Sequence, residues 1–536
     1  MRGIAIFLLM GLALGVTSAP VFAQDSGDAR RNLNIQPYIE VSQVLSAELS
    51  PGDSVVTYTQ LAAGVDLTAR GRSSGAAVSV RYERNIGYGD QVDSDTLSGI
   101  ARGYISVARA LTLEAGGLAS RTRVDGGGAV SPNPQVREDA SSQIYSVYAG
   151  PSLSTQVGAV QVDGVARIGY TRFEAGNTAV DANGDTIDLF DDSVTYAGQV
   201  RAGTRAGDPL PVGLAATAGF YQEDISNLDQ RVRDAYVRAD VTVPVSDSLA
   251  FVGGIGYEDV EVSSRDAVRD VNGAPVIGPD GRFVTDPTSP RVIAFDVDGL
   301  LWDVGVLWRP SSRTSLAASV GRRYDSTTYY GSFSYSPSLR SSLNISVYDG
   351  VTGFGGRLTN ALSDLDSDFV ASRNPVTGDL NGLLSGENGA SLVNSFGSVR
   401  SAAFRGRGVN ASYQHRIGRL NAAIGAGYER REFIGARGTV LEAADGLVDE
   451  NYYIAAALSR DLGRSSLLAT QAYITWFDSA SQVGDATSYG ASAAYSRTIT
   501  EKLSARAAVA IDYFESDFTA EDFATATALL GLRYNF

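Results

Sequence analysis

Cysteine is absent from the 536-residue sequence, and histidine and lysine occur once each, at His415 and Lys502. The absence of cysteine excludes disulfide frameworks, thiolate zinc sites and cysteine nucleophiles. A single histidine excludes histidine metal clusters and argues against a Ser–His–Asp triad, which needs an imidazole as its base. We therefore expect no enzyme activity, no catalytic residue, no metal centre and no cofactor.

Charge is also scarce. Charged residues make up 19% of the chain, and 60 acidic against 44 basic residues give a net charge of −16. This balance provides no basic face for nucleic acid, so no nucleic-acid partner is expected. Hydrophobic residues amount to 44%, too many for a disordered acidic chain. The composition predicts a folded protein of low charge density.

Long hydrophobic runs are missing except at the start of the chain. Residues 4–16 form an uncharged apolar run that follows Arg2 and leads through small residues to Ala23. This order is typical of a secretory signal peptide. The alternative, an inner-membrane helix, needs about 20 apolar residues to cross ~30 Å of hydrocarbon, and this run is shorter. We predict a cleaved signal peptide at 1–23 and a short periplasmic segment at 24–34.

Further along the chain, apolar residues recur at every second position. The pattern is clear over residues 55–70, 235–245 and 503–513, where polar residues occupy the alternate positions. A chain that crosses a membrane without long helices can satisfy its backbone only as a closed β-barrel. Strands of about ten residues with one apolar and one polar face are typical of such barrels.

The connections between these strands alternate in length. Ten short turns alternate with eleven longer loops, many of them acidic and rich in Gly, Asp and Asn, such as 120–141, 174–193, 262–294, 349–398 and 514–523. Short periplasmic turns and long extracellular loops are typical of outer-membrane barrels, whereas a β-propeller or sandwich has connections of similar length on both sides. The prediction is an all-β fold, a single large antiparallel transmembrane barrel over residues 35–536 with about 22 strands, within a range of 20 to 24.

The last strand carries the most specific motif. Leu530, Leu532, Tyr534 and Phe536 place an apolar residue at every second position up to the final residue. This pattern resembles the C-terminal assembly signal of Gram-negative outer-membrane barrels; read without the signal peptide, it is only one more amphipathic strand. The resemblance implies the bacterial outer membrane as location. It also implies the barrel assembly machinery, outer-membrane lipid and lipopolysaccharide as partners.

A second resemblance covers roughly residues 309–536. The segments 321–324 (GRRY), 328–332 (TYYGS), 335–340 (YSPSLR) and 373–380 (RNPVTGDL) resemble a family of large barrels associated with PEP-CTERM and exopolysaccharide gene clusters. Similar chains are sometimes labelled preprotein translocase subunit YajC. The sequence does not support that label, because YajC is a small single-helix protein of the inner membrane. The resemblance implies an envelope or export role and transfers no catalytic residues.

Arginines alternate with the apolar stripe and are expected to line the lumen. Two interpretations stay open: these arginines pair with lumen carboxylates, or they form rows that guide an anionic substrate such as an acidic polysaccharide. The predicted lumen-lining residues are Arg81, Arg102, Arg167, Arg201, Arg238, Arg431, Arg506 and Arg533.

A barrel of this size leaks unless something fills it. The longest loop, 349–398, has helical spacing of its apolar residues at Leu358, Ala361, Leu362, Leu365, Phe369 and Val370. We expect a short amphipathic helix there, and the loop either folds inward as a constriction or plug or lies outside as a lid. Because the first strand is expected near Ile35, there is no room for an N-terminal globular plug, and a TonB-dependent transporter is not expected.

The acidic loop 174–193 contains a weak calcium-loop pattern. Ligand types stand at positions 1, 3, 5 and 12 of such a loop, but Thr186 occupies the position that requires glycine. A solvated acidic loop is the favoured interpretation, and no metal site is predicted; the weak candidates are Asp181, Asn183, Asp185 and Asp192. His415 adjoins the short turn 416–419 on the predicted periplasmic rim, which argues against a catalytic role.

Two functions follow from these observations. The favoured one is a channel or export conduit, and an envelope polysaccharide is the cargo that the family resemblance implies. The alternative is a structural or adhesive barrel with a sealed lumen that acts through its acidic extracellular loops. An open constriction would favour transport, and a sealed lumen the structural role.

Overall fold

A computed structural model describes residues 32–88, 93–124, 130–131, 141–174, 189–365, 369–385, 392, 397–479, 484–517 and 522–536. The chain forms one closed antiparallel β-barrel of 22 strands, which confirms the predicted fold class. Within the described ranges, no helix has the length and hydrophobicity needed to cross a membrane. The signal peptide predicted at 1–23 lies outside the described residues and stays a prediction.

The strands lie in chain order around the barrel. They are β1 Asn32–Ser50, β2 Val55–Arg70, β3 Ser74–Gly87, β4 Ser94–Ser106, β5 Leu111–Val124, β6 Val130–Ser131, β7 Ser141–Val157, β8 Val160–Glu174, β9 Asp192–Thr204, β10 Gly213–Ile225, β11 Gln230–Ser246, β12 Leu249–Ser264, β13 Val292–Ser311, β14 Thr314–Arg323, β15 Ser326–Ser338, β16 Ser341–Thr352, β17 Val370–Arg373, β18 Leu380–Ser385, β19 Phe404–Ile417, β20 Leu420–Phe433, β21 Val448–Asp461, β22 Ser466–Ser479, β23 Ala486–Thr498, β24 Leu503–Ser516 and β25 Phe523–Asn535.

Three of these strands are not among the 22 strands that close the barrel. The two-residue β6 pairs only with β5, and β17 and β18 form a separate hairpin. In the described part of the chain, an α-helix, α1 at Phe354–Ser363, precedes that hairpin, and 3₁₀ turns occur at Asn227–Asp229 and Val440–Ala444.

The first and last strands close the barrel. β1 pairs with β25 from Tyr38↔Asn535 to Ser50↔Ala524, and β1 also pairs with β2. Closure removes the free sheet edges that a membrane interior does not tolerate, because backbone groups there have no water to bind.

The ten short turns lie on one side of the barrel, as the sequence predicts. The opposite, extracellular side carries the long loops 265–291 and 353–403, but also short connections at 51–54, 226–229 and 324–325. The last of these is a two-residue turn in which Tyr324 and Asp325 have φ values of 54° and 53°. Positive φ is unusual for residues other than glycine, so this turn is held by its surroundings.

The outer face carries an apolar band between two aromatic belts, which is typical of proteins of the outer membrane. The belts are exposed aromatic side chains that lie near the loops at Tyr82, Tyr196, Tyr257, Tyr329, Tyr452, Trp476 and Tyr489, and near the short turns at Phe251, Trp308, Tyr335, Tyr413, Tyr495 and Tyr534. The protein is therefore an outer-membrane β-barrel.

Candidate functional site

We call the connection between β16 and β19, residues 353–403, the inner segment, and its described residues pack against inward-facing residues of the barrel wall. It contains α1 and the β17–β18 hairpin. The apolar face of α1 is fully buried, with Phe354, Leu358 and Leu362 packed against strand residues that include Ile144 and Phe173. The helix includes Leu358, Ala361 and Leu362 as the spacing predicts, but it ends at Ser363. The predicted helical spacing is wrong for Leu365, Phe369 and Val370, which lie beyond the helix, and Val370 begins β17.

The wall beneath the inner segment is apolar on its inner side as well as its outer side. Ile100, Leu118, Ile144, Phe173 and Ile225 are all buried in one cluster with α1. A water-filled barrel requires a polar inner face, so this patch is suited to a permanently docked segment and not to open water.

Glu223 on β10 holds the start of α1. Its carboxylate accepts the backbone N–H groups of Gly353 at 2.7 Å and Gly356 at 2.8 Å, and the hydroxyls of Tyr221 and Ser193. A negative charge at this point also complements the positive end of the helix dipole. Gly356 has to be glycine, because a Cβ there would collide with the Tyr221 hydroxyl oxygen.

The deep end of the inner segment is a tight turn formed by residues 373–380, the RNPVTGDL motif. Arg373 donates to Ser98 Oγ at 2.6 Å and to the Ser79 carbonyl at 3.0 Å. Asp379 forms an ion pair with Arg121 at 2.8 Å, and Gly378 adopts a positive φ of 71°. The motif therefore anchors the inner segment to the inner wall of β3–β5.

A third attachment is a buried charge network around Glu429 on β20. Its carboxylate accepts from Arg357 of α1 at 2.7 Å, Arg431 at 2.6 Å and Tyr348 at 2.9 Å. Arg431 also donates to the Ser398 carbonyl at 2.6 Å, which ties down the end of the inner segment. The side chain of Glu429 has no exposed surface.

The predicted lumen arginines all have carboxylate partners. The shortest N–O separations are Arg81–Glu40 2.9 Å, Arg102–Glu114 3.4 Å, Arg167–Glu114 2.7 Å, Arg201–Asp240 3.8 Å, Arg431–Glu429 2.6 Å, Arg506–Glu40 3.5 Å and Arg533–Asp66 3.3 Å, and Arg238 lies 2.7 Å from Asp303. This geometry agrees with the interpretation of mutual pairing and does not bring the eight side chains together as a free anionic-substrate row. Four further arginines inside the barrel are not predicted as lumen-lining: Arg121, Arg323, Arg357 and Arg373. The sequence indicates Arg323 and Arg373 only as members of the motifs 321–324 and 373–380.

A cavity of about 710 Å³ lies beside α1. It is bordered by β8–β11, β14–β16, β19 and β21 on one side and by the helix on the other. Its lining is rich in tyrosine, hydroxyl and amide groups, with paired charges, and includes Tyr221, Tyr236, Tyr348, Asn344, Asn410, Ser412, Arg357 and Asp364. Removal from bulk water raises the pKa of Asp364 above the usual carboxyl value, although Arg167 and Arg357 act in the opposite direction.

The extracellular end of the barrel is covered. Leu228, Ala402, Phe404, Phe433 and Leu441 are buried together at this end. The Gln230 side chain bonds the Ser401 carbonyl at 3.0 Å and the Ala403 N–H at 3.2 Å. The cavity therefore has a roof made of loop residues.

An ion-pair cluster joins the loops above that roof. Asp229 lies 2.8 Å from Arg265 and 2.7 Å from Arg291, which connects the 226–229 turn to loop 265–291. Partial burial raises the pKa of Asp229, but the two arginines outweigh it and lower the pKa below the usual carboxyl value. The cluster stays ionised, and so holds the loops together, over the physiological pH range.

The remaining sequence candidates show no catalytic or metal geometry. Asp181, Asn183 and Asp185 lie outside the described residues, and Asp192 begins β9. In the described ranges, no group of three or more His, Asp or Glu side chains is placed to hold a metal ion. His415 stacks on Tyr413 and lies 2.6 Å from Ser341 Oγ at the short-turn end of the barrel.

The predicted assembly residues Leu532, Tyr534 and Phe536 are exposed on the outer face. We expect Phe536→Ala to reduce the yield of folded barrel in the outer membrane about tenfold, because an exposed terminal aromatic contributes to recognition and little to the fold. Heat-modifiable mobility on gels measures the folded fraction. Leu462→Ala, an exposed apolar residue in a short turn, is the control. Equal yields for the two variants would refute a recognition role.

No protein-family model matches the sequence, and no curated protein matches it. Similar solved structures include the FrpB iron transporter from Neisseria meningitidis, with a TM-score of 0.44 and 10% identity over 94% of this chain and 82% of that one. The ferric-catecholate import receptor Fiu from E. coli K12 has a TM-score of 0.44 and 11% identity over 96% and 82%. The copper transporter OprC has a TM-score of 0.40 and 12% identity over 96% and 82%. The barrel architecture follows from the chain's own strand pairing.

Proposed function

We propose that the protein is an outer-membrane conduit with a built-in plug. The inner segment fills one side of the lumen, and the cavity beside α1 is the remaining route. The observation that carries this proposal is the apolar inner wall at Ile100, Leu118, Ile144, Phe173 and Ile225, which matches the apolar face of α1. A barrel wall with no lumenal occupant has no reason to be apolar there.

The same contacts favour a docked plug over an external lid. Three separate attachments hold the inner segment, at Glu223, Arg373 and Glu429, and each one satisfies a buried charge. Buried charges without partners are costly, so undocking would break all three networks and expose the apolar wall to water. A lid that opens for each substrate would need fewer and more exposed contacts.

For the cargo we propose a polar, hydroxyl-rich molecule, in keeping with the envelope polysaccharide that the exopolysaccharide-cluster resemblance implies. Tyrosine rings offer apolar faces to the C–H side of sugars, and the Asn and Ser side chains around the cavity offer donors and acceptors. Because the lumen arginines are paired with carboxylates, the net electrostatic field in the cavity is weak. A neutral or weakly acidic glycan therefore fits better than a strongly anionic one.

Planar-bilayer conductance of the purified full chain tests this proposal. We expect small, stable channels whose current falls when a neutral oligosaccharide is added on the short-turn side, because the sugar occupies the cavity. Inorganic phosphate at the same concentration is the control for an anion effect. A current that responds to phosphate and not to the oligosaccharide would contradict the proposed cargo.

A second function is favoured by one observation, the covered extracellular end around Leu228, Phe404 and Leu441. If that cover never opens, the protein is a structural barrel that acts through its loops. Bilayers that stay silent under every applied voltage, with folded protein present, would support this alternative.

A further inference from the structure

The barrel wall has a break between β15 and β16. These strands pair from Ser338↔Ser341 to Gly331↔Val347, and the ladder stops there. Both strands continue toward the extracellular side: Ser326–Tyr330 stays paired with β14, and Tyr348–Thr352 stays paired with β19. If the ladder continued in register, Thr328 would stand opposite Gly350.

The β13–β14 ladder stops at Trp302↔Arg322 because β14 ends there, although β13 begins at Val292. Among the described strand pairs, only β4 and β5 separate while both strands continue, beyond Gly99↔Ala119. That second break is filled. The Gln143 side chain donates to the Leu97 carbonyl at 3.0 Å, and Arg121 donates to Thr96 at 3.0 Å and to Asp379 of the inner segment at 2.8 Å. The β15–β16 break has no such backing, because the cavity lies behind it.

Side chains, not backbone pairing, close the β15–β16 break. The turn between β14 and β15 points inward, so that Tyr324 is 4% exposed, donates its hydroxyl to Asp234 at 3.0 Å and its N–H to Glu258 at 2.7 Å. On the other edge, Arg405 bridges Asp349 at 2.8 Å and Ser326. The closure can therefore open by side-chain rearrangement, without breaking a strand ladder.

The break lies at the level of the outer leaflet. Tyr329, which belongs to the loop-side aromatic belt, is on the part of β15 that is paired with β14 but not with β16. Its side chain is 43% exposed on the outer face. Aromatic belts lie at the boundary between lipid head groups and acyl chains. Unpaired strand edges are unfavourable at this depth unless something covers them.

We propose that this break is a lateral portal through which an amphiphile with one acyl chain and an uncharged, hydroxyl-rich head passes between the cavity and the outer leaflet. The cavity has a roof above it, and the other ladders that border it run to their extracellular ends. Its polar lining accepts the head, and the apolar chain lies in the outer leaflet beside the exposed ring of Tyr329. The portal rests on the proposed function, because it uses the same cavity.

The cysteine-free chain allows a direct test. Thr328→Cys with Gly350→Cys bridges the break, and Ser332→Cys with Ser346→Cys bridges the intact ladder just below it as the control. Each protein is assembled in reduced form, placed in lipid vesicles, oxidised, and exposed to a dodecyl maltoside with a photoreactive diazirine on its chain. Mass spectrometry then locates and counts the label.

We expect label on 326–330 and 348–352 in the parent and in the control. In the Thr328→Cys, Gly350→Cys variant, oxidation to the disulfide should lower the amount of label at these residues at least about tenfold, because the loss of burial of even two methylene groups gives that factor. Reduction of the disulfide should restore the label. If the pair resists oxidation, the strands are held apart as the portal requires, and a short bis-maleimide replaces the disulfide.

Two results would overturn the portal. One is an amount of label that the disulfide between positions 328 and 350 does not change, and the other is a density of label at 326–330 and 348–352 no higher than on the continuous strand pair β20–β21. Conductance measured on the same preparations separates the two proposals. Loss of label with normal conductance supports the portal, whereas silent channels refute the conduit whatever the label does.

Discussion

Deletion of residues 355–395 is expected to raise the single-channel conductance on the order of tenfold, because the remaining 22-strand barrel is wide enough for an aqueous pore. The same deletion should make cells sensitive to large antibiotics that the outer membrane normally excludes. Planar bilayers and antibiotic susceptibility measure the two effects. Removal of 270–274, the exposed tip of loop 265–291 on the same side of the barrel, is the control and should change neither quantity.

The deletion also exposes the apolar wall around Ile100 and Phe173, and the shortened barrel is expected to fold in lower yield for that reason. The double variant Arg373→Ala, Asp379→Ala offers a milder route. It detaches the deep end of the inner segment from β3–β5 while α1 stays on its apolar wall, and it should give flickering channels of intermediate size. Unchanged conductance and antibiotic sensitivity in both variants would show that the inner segment is not the plug.

The barrel itself could be predicted because its signals are local. The alternation over residues 55–70 and 503–513 needs only neighbouring positions, since a strand's faces repeat every two residues. The contrast between turns such as 418–419 and loops such as 353–403 is also local. Both observations led to the strand number that the closed sheet has.

The docking of the inner segment could not be predicted in the same way, because its contacts join distant parts of the chain. Glu223 binds Gly353 from 130 positions away, and Arg121 meets Asp379 across 258. One local signal exists: Ile100-Ala101 and Leu118-Ala119 are apolar on both faces of their strands, which indicates burial from both sides. At these positions the inner face of the wall is apolar, because the inner segment covers it.

The lumen arginines illustrate a related limit. Alternation identifies Arg81 and Arg238 as inward-facing, but pairing depends on which strands are neighbours and in what register. Glu40 reaches Arg81 from two strands away, and Asp303 reaches Arg238 in the same manner. A sequence without register therefore suggests that lumen arginines pair with carboxylates but does not identify the partners.

Glu429→Ala is expected to have the largest effect of any single substitution on the inner segment. It leaves the guanidinium groups of Arg357 and Arg431 buried without their shared carboxylate, and removing one partner of a buried ion pair costs about 3–5 kcal/mol. The matched control is Glu432→Ala on the same strand, which breaks the more exposed pair with Arg430 and should cost at most about 1 kcal/mol.

Trypsin reports this difference, because Arg357, Arg373 and Arg400 are cleavage sites inside the barrel that the packed inner segment protects. The half-time of cleavage at these three sites should fall at least about tenfold in Glu429→Ala, since each 1.4 kcal/mol lost from docking raises the undocked population by that factor. Glu432→Ala should be cleaved like the parent protein. Exposed loop arginines such as Arg269 and Arg437 are cleaved in the parent protein too. Because barrel strands resist trypsin in the membrane, new cleavage at the three inner-segment sites without cleavage within the strands shows undocking of the inner segment and not unfolding of the barrel. Equal protection of Glu429→Ala and Glu432→Ala would mean that the apolar wall alone holds the inner segment, with the charge network contributing nothing to its docking.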